Sequence, residues 1–449
     1  MKFTNKHIND IYFLGIGGIG MSALARYFHL KGVRVSGYDR TKSVVTEGLE
    51  EAGMEIFYVM DKAHVQDKDL MVYTPAIAKS SEEYQAAEEK GIPIYKRSQI
   101  LGMISEDYRC LAVAGTHGKT TTSSMLTHLL VETEKEPTAF LGGIANNLKG
   151  NFRFGSSDLL VVEADEFDRS FLTLHPSTAI ITSLDADHLD IYGEVETMRA
   201  GFRAFADQTK ELLVHDSIRD FDWGKAVKSY GIASGDFQAS NLRAEDLGMR
   251  FDFHSPYGDL KDVKTHFPGE HNVLNMTAAM AMSLEVGVDV EILRDAVSTF
   301  SGIYRRFQVH HHSKMLTYID DYAHHPTELE AAISTGRALF PDRQLLVIFQ
   351  PHLFTRTRDF MDEFAAALSK ADQVLLMEIY PARESAIPGI TSSALLEKMS
   401  LEKAEMVARA DLSDKIEQCI QAPSLVMSLG AGDIDKEVKK IKERIKDVF

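Results

Sequence analysis

Apolar residues fall along this chain in short, strand-length runs. Each run leads into a glycine- or histidine-bearing turn and then a helical stretch, and the arrangement recurs three times. The first run is IYFLG (11–15), followed by IGGIG and a helical stretch from about Met21 to Leu30. VRVSGYD (33–39) follows at once, and DLMVYTPAI (69–77) reads as a later strand of the same sheet. After a helix near 97–106, CLAVAG (110–115) opens the second unit, with DLLVVEADE (158–166) and TAIITSLDADH (178–188) as its later strands. The stretch 225–267 is less regular, with short polar and aromatic runs that have room for extra strands, and helices around 271–286 and 289–300 close the segment. From Met315 the third unit runs through LTYIDDYAHHP, QLLVIFQPH (344–352), VLLMEIYP (374–381) and SLVMSLGAGD (424–433). Strands alternating with helices predict an α/β fold of parallel, doubly wound sheets. The chain divides on this reading into three domains, 1–107, 108–312 and 313–449.

The sharpest chemical signal is AGTHGKTTT (114–122), set between an apolar strand and a helix. The common nucleotide loop reads G-x-x-x-x-G-K-[ST]; here Gly115 and Gly118 stand much closer together, followed by Lys119 and Thr120. A strand–turn–helix of this kind aims backbone N–H groups and a helix N-terminus at an anion. The helix dipole supplies only about half a unit charge, too little for a triphosphate. Lys119 therefore adds a full charge, and Thr120 offers its hydroxyl to Mg²⁺. As a loop lysine, Lys119 is expected to be exposed, with little packing to lose.

A metal seat is expected nearby. One strand ends in Glu163, Asp165 and Glu166, and another in Asp185, Asp187 and His188. The C-terminal ends of parallel strands gather on the ligand side, so both clusters should face the loop. Hard oxygen donors with retained waters suit Mg²⁺, and His188 can join them as a neutral ligand.

GIGGIG (15–20) fits the dinucleotide fingerprint, and Asp39 ends the next strand, where a ribose-binding acid belongs. Alone, this pattern fits a nicotinamide-dependent oxidoreductase. It equally fits any ligand with a pyrophosphate, a nucleotide sugar included. Further on come Arg305-Arg306, His324-His325, and His352 with Arg356 and Arg358. A guanidinium matches a carboxylate or phosphate through paired hydrogen bonds. His324-His325 follows an apolar strand directly and divides evenly between site and core. His310-His311-His312 lacks metal-ligand spacing and reads as a polar linker.

Composition narrows the partners. The 449 residues carry a formal net charge of −17, which repels a nucleic-acid backbone and argues against duplex binding as a function. An anionic ligand must then be held by local cations, helix N-termini or a metal. Cys110 and Cys419 are the only cysteines, so no disulfide framework is expected. No run of 18 apolar residues occurs and the first residues lack a leader pattern, so a cytoplasmic protein without membrane insertion is expected.

Taken together, GIGGIGMS, GTHGKTTT, EADE, DADHLDIYG, HNVLN, FSGIYRRF, DDYAHHPTE, FQPH and SLGAGD resemble the Mur ligases along the whole chain. These are the ATP-dependent amide-forming enzymes of peptidoglycan precursor synthesis. The resemblance implies a Rossmann-like N-terminal domain for a UDP-sugar, a central P-loop-type ATPase domain, and a Rossmann-like C-terminal domain for the amino acid. Within the family, FQPH…TRTRD and YPA (380–382) resemble the branch that joins L-alanine to UDP-N-acetylmuramate. The implied cofactors are ATP and Mg²⁺, and the implied assembly is a monomer or weak homodimer. By matching motif, Gly115, Thr116, His117, Gly118, Lys119, Thr120 and Thr121 would hold the ATP phosphates. His271, Asn272, Asn275 and Arg306 would border ATP, with the two asparagines nearest the adenine. Thr120, Glu163 and His188 would seat magnesium. Gly15, Gly17, Gly18, Gly20 and Asp39 would hold the UDP moiety, and Tyr322, His324, His352 and Arg356 the alanine. Lys119, His188, His324 and His352 are the implied catalytic residues. The chain departs from the family at Phe167 and Arg169 in EADEFDRSF, and at Leu353, where alanine-adding members commonly carry arginine. ETMRAGFRAFA (196–206) contains no lysine, so the carbamylated lysine of several relatives is not expected.

Overall fold

The computed structural model describes residues 2–3, 6–185, 195–382, 384–420 and 423–448. Its strands build three main sheets. The first holds β1 (Asp10–Leu14), β2 (Arg34–Tyr38), β3 (Glu55–Phe57), β4 (Leu70–Tyr73) and β5 (Ile94–Lys96) in the order β3-β2-β1-β4-β5, all parallel. Helix α1 (Ile19–Leu30) follows β1 through the glycine turn.

The second sheet contains β6 (Arg109–Ala114), β7 (Thr138–Ala145), β8 (Gly150–Arg153), β9 (Leu159–Glu163), β10 (Thr178–Ile181) and β11 (Glu211–His215). Four more strands extend it: β12 (Lys228–Ile232), β13 (Phe237–Glu245), β14 (Gly248–Ser255) and β15 (Gly258–Thr265). These last four occupy the stretch whose sequence was least regular. The order is β8-β7-β9-β6-β10-β11-β12-β13-β14-β15. Strand β6 is apolar and fully buried from Cys110 to Ala114, as a strand covered on both faces must be. It pairs in parallel with β9 on one side and β10 on the other. The chain thus leaves β6 at a topological switch point, where open α/β sheets bind ligands beyond the strand ends. Helix α2 (Lys119–Glu132) begins there, and α3 (Glu270–Glu285) comes later in the chain.

The third sheet holds β16 (Gln308–His312), β17 (Leu316–Asp321), β18 (Gln344–Phe349), β19 (Gln373–Leu376), β20 (Ala404–Met406) and β21 (Ser424–Leu429). Its order is β16-β17-β21-β18-β19-β20. The three histidines at 310–312 are therefore strand rather than linker: β16 pairs antiparallel with β17 at the sheet edge. An edge strand tolerates polar side chains because one side meets solvent. The His310 ring packs 5.5 Å from Tyr318, and His312 Nδ1 lies 2.8 Å from Thr317 Oγ1. Helix α4 (Pro326–Leu339) follows β17.

The chain divides into two compact units, Met1–Ser240 with Asp252–Val263 and Leu274–Phe300, and Asn241–Phe251 with Lys264–Val273 and Ser301–Phe449. Within the first, one apolar core runs from Ile8 through Phe28 and Phe140 to Trp223. The Tyr27 ring of α1 packs at a tilt, 5.7 Å from Phe140 of β7, and Asn151 Nδ2 donates to the Ile19 carbonyl at 2.7 Å. In the second unit, Leu316, Leu346, Val426 and Ile441 belong to a separate core. No described helix is long and apolar enough to cross a membrane.

Candidate active site

At the β6–α2 turn the backbone is left-handed at Gly115 (φ +128) and Gly118 (φ +81). A Cβ on Gly115 would stand 2.0 Å from Thr182 Oγ1, so only glycine fits. Thr182 and Ser183, just past β10, hold the loop from below. The Thr182 N–H donates to the Ala114 carbonyl (3.0 Å), and Ser183 Oγ accepts the His117 N–H (3.0 Å) and lies 2.8 Å from Thr116 Oγ1. The Asp185 N–H donates to Thr116 Oγ1 at 3.1 Å, and the Asp185 carboxylate lies 3.7 Å from His117.

Lys119 is not the exposed loop residue its position predicts. Its side chain is 13 % exposed, and its ammonium donates to the Gly115 (2.7 Å) and Thr116 (3.3 Å) carbonyls. Both Glu166 oxygens stand 2.8 Å away, on a side chain with no exposure. Burial, the largest influence, pulls the Lys119 ammonium down, but Glu166, Asp165 and Glu163 outweigh it and hold it above its ordinary value.

Thr120 Oγ1 donates to Glu163 Oε1 at 2.9 Å, and Glu163 Oε2 accepts the Gly142 N–H at 2.8 Å. Burial pushes the Glu163 carboxyl up, against the opposing pull of Lys119 and these two hydrogen bonds. A magnesium ion with octahedral bonds of about 2.0–2.1 Å sets neighbouring ligand oxygens about 2.9 Å apart. The Thr120–Glu163 spacing fits that edge, and a carboxylate oxygen beside a hydroxyl is a donor pair that suits a hard cation. The third expected ligand, His188, lies outside the described residues, as does Asp187. Among the described residues no group of three or more His, Cys, Asp or Glu is placed to hold a metal. Behind the loop, Asn275 of α3 accepts the Thr122 hydroxyl at 3.1 Å. Both acidic strand ends thus face the loop as far as the described residues extend. The sequence offered no signal for Thr182, Ser183 or Gly142, whose parts depend on which strands neighbour β6.

At the first glycine turn, the Gly15 and Ile16 N–H groups both donate to the Tyr38 carbonyl. Asp39 Oδ2 accepts the Gly17 N–H at 2.8 Å, and Oδ1 accepts from Thr41 at 3.2 Å. A Cβ on Gly17 would meet Asp39 Oδ2 at 2.8 Å. Asp39 therefore ties β2 to the turn. Gly18 caps α1 and Gly20 lies in its first turn, beside the Arg97 guanidinium.

The second unit gathers another set. The His324 ring stands 5.2 Å from Tyr322 and 6.0 Å from His352, and Nδ1 lies 2.9 Å from the Tyr322 carbonyl oxygen. Burial pushes the His324 imidazole down, and Arg356 and Arg306 add to this against Glu328. His325 turns the other way: its ring caps α4 through the Thr327 N–H and packs 4.7 Å from Phe360. Of this pair, His325 packs against Phe360 while His324 stands beside Tyr322 and His352. Arg306 lies over the Tyr322 ring at 5.4 Å and 3.8 Å from Glu328. His271, at the start of α3, is pushed down to about 4 by burial with Arg306 adding, and Asn272 beside it is buried, donating to the Pro268 carbonyl. Asp321 is pushed up to about 6 by burial, although it accepts the Phe307 (2.6 Å) and Ala323 (2.7 Å) N–H groups. Arg305, next to Arg306, is structural: it pairs with buried Asp320 at 2.9 Å and donates to the Gly430 carbonyl.

Known proteins resemble this chain in sequence and in fold. Residues 10–109 match the Mur ligase family catalytic domain, 113–283 the Mur ligase middle domain, and 305–433 the Mur ligase glutamate ligase domain. The chain is 44% identical over 455 residues to the UDP-N-acetylmuramate–L-alanine ligase of Christiangramia forsetii, covering 99% of each chain. It is 40% identical to that of Cytophaga hutchinsonii over 454 residues, 97% of each. A solved UDP-N-acetylmuramate-alanine ligase from Thermotoga maritima superposes with a TM-score of 0.82 at 29% identity, covering 98% of this chain and 100% of that one. A murein peptide ligase from Psychrobacter arcticus shares the fold, with a TM-score of 0.71 at 22% identity over 99% of this chain and 100% of that one. The glycine turn of α1 is then one part of a ligase rather than the centre of a dehydrogenase, and with likeness of this extent from end to end the chain belongs to the Mur ligase family.

Proposed function

We infer that this chain is an ATP-dependent ligase joining L-alanine to the carboxylate of UDP-N-acetylmuramate in peptidoglycan precursor synthesis. The observation that carries the reading is the β6–α2 loop, where Lys119 and the Thr120–Glu163 pair converge beside a left-handed glycine turn. It stands in a chain that resembles alanine-adding ligases over nearly its whole length. A muramyl carboxylate oxygen attacks the γ-phosphorus, ADP leaves, and an acyl phosphate forms. The deprotonated amine of L-alanine then attacks the carbonyl carbon, the bond to the phosphate oxygen breaks, and inorganic phosphate departs. Phosphoryl transfer of this kind depends on positioning and charge neutralisation.

Residues Gly115 to Thr121 cradle the phosphates, with the Lys119 ammonium as their full positive charge. Thr120, Glu163 and His188 would hold magnesium, which when bound neutralises phosphate charge. Asn272, Asn275, His271 and Arg306 border the nucleotide. Gly15, Gly17, Gly18 and Gly20 admit the UDP pyrophosphate to the start of α1, and Asp39 keeps their turn in shape. Tyr322, His324, His352 and Arg356 receive L-alanine. An imidazole held below its ordinary value is neutral near pH 7, so His324 can take the ammonium proton. The enzyme acts in the cytoplasm, where ATP is available, as a monomer or weak homodimer. Mass spectrometry of products from UDP-N-acetylmuramate, ATP, Mg²⁺ and mixed amino acids tests the reading. The expected product is the alanyl adduct with ADP; a different amino acid in the adduct, or none, overturns it.

A further inference from the structure

The YPA segment (380–382) is one of the stretches that resemble the alanine-adding branch, yet the proposed chemistry gives it no part. In the structure it is the partner of the segment that carries His352 and Arg356. The Tyr380 N–H donates to the Pro351 carbonyl at 2.8 Å, and the Leu353 N–H to the Tyr380 carbonyl at 3.0 Å. His352 and Tyr380 form a parallel bridge, their rings stacked 5.7 Å apart at 17°. Just beyond, Leu353 adopts φ +71 and ψ 136. Such a conformation costs a non-glycine residue about 1–3 kcal/mol and persists only where its surroundings over-determine it. This turn separates His352 from the short helix Phe354–Asp359 that carries Arg356.

On the helical side the Thr357 N–H and hydroxyl donate to the Leu353 carbonyl at 3.1 and 2.8 Å, and Glu384, two residues past YPA, adds a further restraint. Its Oε2 accepts the Thr355 N–H at 3.0 Å and its Oε1 accepts the Thr355 hydroxyl at 2.5 Å. Both carboxylate oxygens therefore grip the residue immediately before Arg356. Backbone bonds at Tyr380 hold one flank of the Leu353 turn, and Thr357 together with Glu384 holds the other. A single acceptor would satisfy the Thr355 N–H; the second oxygen adds the hydroxyl contact, and the Glu384 charge also acts on Arg358 of the same helix.

We propose that Glu384 is a positioning residue for amino-acid recognition: by clasping Thr355 it holds the strained Leu353 turn and so sets Arg356 relative to His352. The inference rests on the reading of His352 and Arg356 as part of the alanine pocket. A displacement of about 1 Å in a binding group costs up to about a hundredfold in efficiency. Loss of the clasp should accordingly appear in alanine recognition and spare the other substrates.

The test is steady-state kinetics of the full chain, varying L-alanine, ATP and UDP-N-acetylmuramate in turn, with thermal unfolding of every variant. Glu384→Ala should raise KM for L-alanine about tenfold or more, with the other two KM values within about twofold. Glu384→Gln retains one carbonyl acceptor and should recover most of the loss. Thr355→Val removes only the hydroxyl and should raise the alanine KM a few-fold. The double variant Glu384→Ala/Thr355→Val should be no worse than Glu384→Ala alone, because both act through one contact. Should Glu384→Ala fail to fold, Glu384→Gln and Thr355→Val carry the same comparison. Equal rises in all three KM values, or a fall in kcat alone, overturn the positioning role. Arg356→Lys separates the two levels of the argument. A raised alanine KM there, with none in the Glu384 and Thr355 variants, overturns the positioning role and leaves the pocket standing. An unchanged alanine KM in Arg356→Lys overturns the pocket reading and the positioning role with it.

Discussion

The Lys119 ammonium meets three acceptors, two loop carbonyls and the fully buried Glu166. Lys119→Ala would strand that carboxylate, and breaking one side of a buried pair costs about 3–5 kcal/mol. The variant should therefore lose thermal stability as well as turnover, the latter by about 10²–10³-fold or more. Lys119→Met combined with Glu166→Gln removes both charges. It should regain most of the stability and none of the activity; a double variant as unstable as Lys119→Ala sinks the assignment. Asp321 makes a second prediction. Its folded value of about 6 exceeds the unfolded one near 4, so the folded state holds the extra proton between those values. The Asp321 contribution to stability then falls as pH rises through pH 4–6, by about 3 kcal/mol. His271 works in the opposite sense. Its value is depressed to about 4, so its contribution is present above about 6.5 and is lost as pH falls towards 4. In Asp321→Asn the histidine slope is left to dominate, and urea unfolding across pH 4–7 should show stability rising more steeply with pH than in the parent. Parallel curves would refute the buried carboxyl's role.

Among the elements, the end of β10 decides whether so short a loop can work. Ser183 reaches Thr116 Oγ1 and the His117 N–H, and net hydrogen bonds of this kind contribute about 1 kcal/mol each. Ser183→Ala should raise KM for ATP about five- to thirtyfold and leave that for L-alanine unchanged. An equal change in both would place Ser183 in general packing instead. The end of β9 makes the companion case. Glu163→Ala removes an oxygen donor beside Thr120, so a magnesium titration of activity should shift to markedly higher concentration. An unshifted titration would mean that this acid serves only Thr120 and Gly142. Element type was readable where apolar runs were long, as in β6, β9 and β21. It was poorly readable at β16, where three histidines masked an edge strand, and over β12 to β15, where the runs are short and polar.

For the molecule as a whole, the order of chemistry separates ligation from ATP hydrolysis. A free carboxylate resists an amine because its leaving group would be oxide; phosphorylation makes that oxygen part of a stable leaving group. Both reacting groups are anionic, so local cations must offset a repulsion that the net charge of −17 makes no easier. With ¹⁸O in the muramyl carboxylate, one label should appear in inorganic phosphate for each amide formed. Label in AMP, with pyrophosphate released, would establish adenylation and overturn the acyl-phosphate route.

What could be read without coordinates was short-range. The turn at 115–118 with Lys119 and Thr120 after it, the acids that end each of two strands and the alternation of strand and helix are each signals contained within a few consecutive residues. Local geometry there follows from steric limits, hydrogen-bond periodicity and burial pattern. The resemblance to a family rests on the same short motifs. The supports of those motifs are long-range. Glu166 meets Lys119 across 47 positions, Ser183 meets Thr116 across 67, Asn275 meets Thr122 across 153, and Glu384 meets Thr355 across 29. Each pairing depends on which strands lie side by side and which loop returns beside which turn. That arrangement is settled by the burial of whole sheet faces rather than by any neighbour in the chain. Folding also gave Lys119 a buried partner, turned His325 into the core while its neighbour His324 faced Tyr322 and His352, and made Asp39 a brace for the glycine turn.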